Sequence, residues 1–143
     1  MRDLDSNEFN AAVEREFAFL RENGFEIPNN GRVDTPLTAG VLFVGRNVAV
    51  ELGLDRRDEA IDCMISRVEK GTPVRNDTPG GYRGHLHALL VENRHYRGSF
   101  TEFRPQDQNE RPDVRELRMY ANVLKALAPD IVADSDNVFE SER

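Results

Sequence analysis

The sequence predicts an α+β fold in which an antiparallel β-meander packs against two helices. Two hairpin signals within about residues 38–68 predict the meander. Two amphipathic patterns, at about 6–23 and 113–128, predict an N-terminal and a C-terminal helix. We expect four or five strands in all. A chain of 143 residues has the size of one domain, so we assign 1–143 to a single α+β domain.

The N-terminal helix is predicted from an apolar stripe. Four residues recur at helical spacing and share one face: Phe9, Val13, Phe17 and Leu20. Gly24 suits the left-handed position that follows a helix end, and Phe25 can then fold back on the last turn. Such a stripe is typical of a helix that packs on a core.

The first hairpin is predicted from alternating apolar residues on both sides of a glycine. Gly45-Arg46 fits a two-residue turn of type II′, with glycine in the first central position. This turn would place Phe43 opposite Val48 and Val41 opposite Val50.

The second hairpin is predicted around the loop Asp55–Asp58, which would pair Leu54 with Glu59. Both hairpins direct one apolar set to the same face, and a shift by one residue would turn that set outward. The predicted inward face consists of Val41, Phe43, Val48, Val50, Leu52, Ile61, Cys63 and Ile65.

The chain after the meander is predicted to be less regular. Residues 71–84 are rich in glycine and proline and indicate a long loop. Residues 85–93 favour a helix of two turns, because the leucines at 86, 89 and 90 have helical spacing. Residues 104–112 form a polar linker before the last helix.

The C-terminal helix is predicted to begin with a capping box made of Asp113 and Glu116. Pro129 can open one further turn. Val138 and Phe139 are expected to pack against the sheet. The apolar face of the helix contains Val114, Leu117, Ala121, Leu124 and Leu127.

Composition excludes several classes of protein. The net charge of −7 disfavours binding to nucleic acid. No apolar run approaches the roughly 20 residues of a membrane span, and the N-terminus lacks the apolar core of a secretory signal. The lone Cys63 is expected to be a buried, reduced thiol. We therefore expect a cytoplasmic protein without disulfides and without a membrane partner.

The only candidates for metal ligands are three histidines in the middle of the chain, His85, His87 and His95. Histidines two positions apart diverge by about 200° on the predicted helix, and Cys63 points into the core. We therefore expect no metal site and no cofactor. The chain also lacks the motifs of hydrolases, metalloproteases and dinucleotide enzymes, so no catalytic residue is assigned.

The order of features is similar to that of a known class. A helix ends in Gly-Phe, a D-R-R-D turn precedes I-D-C-M-I, and a terminal helix ends in Leu-Ala-Pro-Asp-Ile before Val-Phe. In the stretches Phe17–Phe25, Val48–Ile65 and Tyr120–Phe139, the chain resembles small bacterial α+β proteins of unknown activity that are similar to polymorphic-toxin immunity proteins. The resemblance implies a single-domain, partner-binding protein and no catalytic residue.

We expect a non-catalytic, cytoplasmic protein-binding module, in its most specific form an immunity protein that neutralises a basic toxin domain. An acidic surface would speed capture of such a domain. The predicted contact residues are Asp55, Asp58, Glu59, Asp134 and Asp136.

Two alternatives stay open. The first is a small-ligand or metal-binding protein that uses residues 71–101, with their histidines and Arg83, Arg94 and Arg97. The second is a homodimer formed through an exposed sheet face or edge strand.

Overall fold

The computed structural model describes residues 6–74, 82–106 and 110–139. Its helices are α1 (Ser6–Glu16), α2 (Ala18–Glu22), α3 (Leu86–Arg94), α4 (Pro112–Leu127), α5 (Pro129–Val132) and a 3₁₀ turn at Phe100–Phe103. Its strands are β1 (Arg32–Asp34), β2 (Thr38–Val44), β3 (Val48–Asp55), β4 (Ala60–Glu69), β5 (Thr72–Pro73) and β6 (Arg83–His85). Within these ranges, no helix combines the length and apolarity that crossing a membrane requires.

The strands form one antiparallel sheet, which confirms the predicted α+β fold with its meander and two flanking helices. The order is β1-β2-β3-β4-β5, and β6 pairs with another part of β4. The short strand around Val33 lies at the edge, as a strand closed off by Pro36 should. Of the predicted loop 71–84, positions 75–81 lie outside the described residues, as do positions 107–109 of the linker.

The core lies between one face of the sheet and helices α1, α3 and α4. All eight residues of the predicted inward face are buried, and so is the predicted stripe of the N-terminal helix. Cys63 is a free, buried thiol, and burial raises its pKa well above the usual range. Apolar alternation therefore identified the buried side of each strand correctly.

The predicted N-terminal helix is present as two segments, α1 and α2. Phe17 separates them, with φ −113° and ψ 22°, yet its ring stays in the core. Gly24 follows with φ 94°, and the amide of Phe25 donates to the carbonyl of Leu20 over 3.0 Å. This is the 6→1 bond of a Schellman end, which returns the chain to the core through Phe25.

The register of the first hairpin differs from the prediction by two residues. Phe43 lies opposite Val50, not Val48, and the two central turn residues are Arg46 and Asn47. All residues of the turn 45–48 have negative φ, so the predicted type II′ turn is wrong. The shift by two leaves every side chain on its predicted face.

A distant carboxylate accounts for this turn. Asp134 accepts hydrogen bonds from the backbone amides of Arg46 (2.5 Å), Asn47 (2.8 Å) and Val48 (3.0 Å). The side-chain amide of Asn47 donates to the carbonyl of Asp134 over 2.9 Å. A Cβ on Gly45 would lie 2.6 Å from the Asp134 carboxyl group. Glycine at 45 therefore serves the close approach of this carboxylate and not the turn conformation.

The second hairpin is also shifted by two residues. Leu54 pairs with Ile61, not with Glu59, and the loop is 56–59. Asp55 accepts from the amides of Arg57 (2.9 Å) and Asp58 (3.2 Å), which starts the turn. Glu59 has φ 53°, a left-handed conformation that excludes it from the strand. The loop therefore occupies residues 56–59, one position later than the predicted loop 55–58.

The middle of the chain contains both a strand and a helix. His85 ends β6, and α3 follows from Leu86, so the predicted two-turn helix is present one residue later. The predicted capping box is wrong, because α4 begins at Pro112 after the N-cap Arg111. Proline lacks an amide hydrogen and has a helical φ, so it suits the first position of a helix. The helix therefore begins at Pro112, before the predicted capping residue Asp113.

The C-terminal segment packs on the sheet as predicted. Val138 is buried, and the Phe139 ring lies 5.1 Å from the ring of Tyr82 and 5.2 Å from the Arg67 guanidinium. Pro129 opens α5, as expected. These contacts bring Asp134 to the first hairpin.

We predict that Asp134→Ala lowers the free energy of unfolding by about 2–4 kcal/mol, because three backbone amides, two of them in half-buried hydrogen bonds, lose an anionic acceptor. Urea denaturation monitored by circular dichroism measures this. Asp136→Ala is the matched control, since Asp136 is exposed two positions away, and it should change stability by less than about 0.5 kcal/mol. Equal effects of the two variants would show that the turn does not depend on this carboxylate.

Candidate functional site

The face of the sheet opposite the core carries a groove with a volume of about 430 Å³. Strand alternation places polar and small residues on this face. Several of them are open to solvent, among them Thr38, Asp55, Asp62, Arg83 and His85. This groove is the candidate functional site, because it combines a concave shape with several ionisable groups.

The floor of the groove is a row of four residues that face one another across four strands. Val33 pairs with Gly40, Gly40 with Gly53, and Gly53 with Asp62. We call these four residues the glycine row. Two opposed glycines leave bare backbone over β2 and β3, between the Val33 side chain and the Asp62 carboxylate. With a strand spacing of about 4.8 Å, the backbones of β1 and β4 are about 14 Å apart, and the Val33 and Asp62 side chains reach inward from them.

The two glycines differ in the space above them. A Cβ on Gly40 would make ordinary contacts, 3.6 Å to the carbonyl of Leu52 and 3.7 Å to Cβ of Val33. A Cβ on Gly53 would lie 2.6 Å from Oδ1 of Asp62. The Asp62 carboxylate therefore reaches over Gly53 into the row, whereas a Cβ at position 40 would make only ordinary contacts, although Gly40 itself is buried.

Carboxylates outnumber cations around the groove. Glu51 accepts from the Arg83 guanidinium over 2.8 Å. Asp55 accepts from the loop amides that begin the second hairpin. Asp62 forms no hydrogen bond or ion pair with a residue of the described ranges. The site thus has negative potential, and Asp62 is its uncompensated carboxylate.

The pKa of Asp62 is raised above its usual 3.8. Partial burial among the strands is the main cause, and the neighbouring charges of Glu51 and Asp55 add to it. His85 and Arg83 act in the opposite direction without reversing the shift. A carboxylate that is destabilised in a cleft is a frequent property of binding sites.

The structure does not bring the three histidines together. His85 borders the groove. The His87 ring lies edge-on to Phe100 at 4.8 Å, and His95 ends α3 with φ 56°. Within the described ranges, no group of three His, Cys, Asp or Glu side chains is arranged to hold a metal ion.

The predicted contact residues fall at two separate places. Asp55, Asp58 and Glu59 lie at the second hairpin, and Asp55 also lines the groove. Asp134 lies at the first hairpin, at the other end of β3, with its carboxylate engaged by the turn. Asp136 follows it on the exposed C-terminal segment. The eight residues of β3 separate the two places by roughly 20 Å or more.

Sequence reasoning missed the glycine row because of the register. In the predicted pairing, Gly40 lies opposite Glu51 and Gly53 opposite Ala60, so no glycine faces another. The signal present in the sequence was the placement of Gly40, Gly53 and Asp62 on the polar face of their strands. Only the shift by two residues aligns them.

A second depression, of about 340 Å³, borders the first hairpin and includes Gly24, Glu26, Pro28, Val44 and Gly45. Glu26 is its single ionisable side chain, so it offers less chemistry than the groove. Comparison of the chain with protein-family models, with curated proteins and with solved structures gave no match.

We predict that Asp62→Asn makes the protein more stable at neutral pH, by less than about 1 kcal/mol after solvent screening. Because the pKa is raised, the folded protein binds this proton more tightly than the unfolded chain does. Stability therefore falls as pH rises through the interval above 3.8. The asparagine variant lacks this loss, and its advantage should vanish below that pH.

Thermal and urea unfolding between acidic and neutral pH measure the effect of Asp62→Asn. Asp58→Asn is the control, since it removes a charge from the exposed loop nearby, and it should change stability at neutral pH by less than about 0.5 kcal/mol. A variant at position 62 that is less stable than the parent at neutral pH would contradict the assignment.

Proposed function

We propose that this chain is a non-catalytic, cytoplasmic protein-binding module, and specifically an immunity-type protein that neutralises a basic toxin domain. The observation that carries the proposal is the open, concave sheet face with its excess of carboxylates. Catalysis would need a nucleophile or an acid–base pair held in hydrogen-bond reach. In the groove, Glu51 instead forms an ion pair with Arg83 at 2.8 Å.

The rim of the groove supports protein binding through its exposed apolar residues. Val33 is 46% exposed and Leu37 is 62% exposed, although both are large hydrophobic side chains. Apolar side chains beside polar ones are the usual composition of a docking surface. A partner that covers β1 and the groove would bury both residues.

Charge supports a basic partner. The chain carries a net charge of −7, and the second hairpin adds Asp58 and Glu59 next to the groove residue Asp55. Such a distribution accelerates association with a basic domain and slows association with an acidic one. A nuclease-type toxin domain, which must attract phosphates, has the complementary charge.

A small ligand is the second candidate, because Arg83 and His85 of the middle segment border the same groove. Arg94, also from that segment, instead forms a two-pronged pair with Asp130 at 2.6 and 2.5 Å. A small-ligand function would therefore use Arg83 and His85 but not Arg94.

We predict that a protein encoded beside this gene binds the purified chain, with an association rate that falls roughly tenfold or more as salt rises from low to high ionic strength. Biolayer interferometry against each neighbour-encoded domain measures this. The double variant Asp55→Asn/Asp58→Asn should slow association several-fold, with a smaller effect on dissociation, because it removes charge from the docking end of the sheet.

The matched control is Glu22→Gln/Glu69→Gln, which removes two exposed charges at the other end of the sheet. It should leave association within about twofold of the parent. If no neighbour-encoded domain binds, or if binding is independent of salt, the proposal is wrong. Thermal stabilisation by a panel of small anions and cations tests the second candidate.

A further inference from the structure

We propose that the glycine row is a slot for one arginine side chain of the partner. This inference rests on the proposed function, since a protein partner supplies the arginine. The proposed function concerns the whole outer face of the sheet. The present proposal adds a particular binding position, the glycine row, and the chemistry of the side chain that binds there.

The shape of the row fits a long, flat side chain. Gly40 adds no side chain to the floor of the groove, and although it is itself buried, it borders the groove between Val33 and the Asp62 carboxylate that covers Gly53. Val33, 46% exposed, offers an apolar wall for the aliphatic stem. The groove volume of about 430 Å³ lies within the range of sites that hold small ligands.

The negative charge of Asp62, at the β4 end of the row, favours a cationic guest. Oδ1 of Asp62 overhangs Gly53, and the carboxylate has no ion pair with a described residue. The other two groove carboxylates are already engaged, Glu51 by Arg83 and Asp55 by the loop amides. A guest cation would therefore pair with Asp62 and lie within the field of the other two.

Arginine suits this position better than lysine. Its guanidinium is planar and presents donors in a fixed fork that matches a carboxylate. It is also less strongly hydrated than an ammonium group, so it loses less on entering a cleft floored by backbone. A guanidinium in the groove beside Asp62 can donate to this carboxylate while its remaining donors face Glu51 and Asp55.

The test uses the full chain and three capped pentapeptides of glycine with a central arginine, lysine or citrulline. Amide chemical shifts are followed in two-dimensional NMR at low salt. We expect saturable shifts centred on Gly40 and Gly53 with the arginine peptide, with a dissociation constant of about 1–10 mM. Lysine should bind at least about threefold more weakly, and neutral citrulline should not bind.

Two variants probe the slot in different ways. Gly40→Leu adds bulk without changing charge, and its Cβ would make only ordinary van der Waals contacts. Asp62→Asn removes the carboxylate and keeps its shape. Each should weaken arginine binding about tenfold or more. The controls are Ala60→Leu, which adds three carbons at an exposed position of β4, and Glu69→Gln, which removes an exposed charge at the far end of β4, and both should bind within about twofold of the parent.

Two results would overturn the slot: no saturable shift with the arginine peptide up to about 10 mM, or equal binding of the citrulline peptide. Its failure can be distinguished from failure of the proposed function. If Gly40→Leu and Asp62→Asn both bind a partner domain as tightly as the parent, the slot is wrong and the protein-binding function stands. If the arginine peptide binds in the slot but no neighbour-encoded domain binds, the slot stands and the immunity-type function is wrong.

Discussion

The contact between the Asp134 carboxylate and the first hairpin is the interaction on which the rest of this structure depends. One carboxylate accepts from three successive backbone amides, those of Arg46, Asn47 and Val48. Asp134 itself has φ 55°, an unfavourable conformation for a residue with a side chain. Such a conformation persists where the surrounding contacts offset its cost.

That contact has consequences across the whole sheet. By selecting Arg46 and Asn47 as the central turn residues, it sets β2 against β3 so that Gly40 faces Gly53. The second hairpin, with Asp55 and a left-handed Glu59, then sets Asp62 opposite Gly53. A groove on the outer face thus depends on hydrogen bonds made at both ends of β3.

The stability of the fold and the proposed binding function would make opposite demands at Asp62. The core side of the sheet is apolar and buried, whereas the outer side retains a carboxylate whose ionisation is disfavoured by its surroundings. Nothing in the packing of the core requires an acid at this position. A partner that pairs with this carboxylate, as proposed above, would account for an acid at this position.

The amino-acid sequence by itself determined the fold class, the buried face of each central strand and the stripes of the N- and C-terminal helices. It could do so because alternate residues of a strand share a face, so the apolar ones mark the buried side. In a helix, apolar residues three or four positions apart mark the buried side in the same way. Only the tertiary structure decided which residues stand opposite one another. A register shift by two residues keeps every side chain on the same face, so the local apolar pattern cannot detect the shift. Here the register is selected by the carboxylate of Asp134, which is 87 positions away from Asn47. The glycine row, and with it the candidate site, exists only in the register that this contact selects.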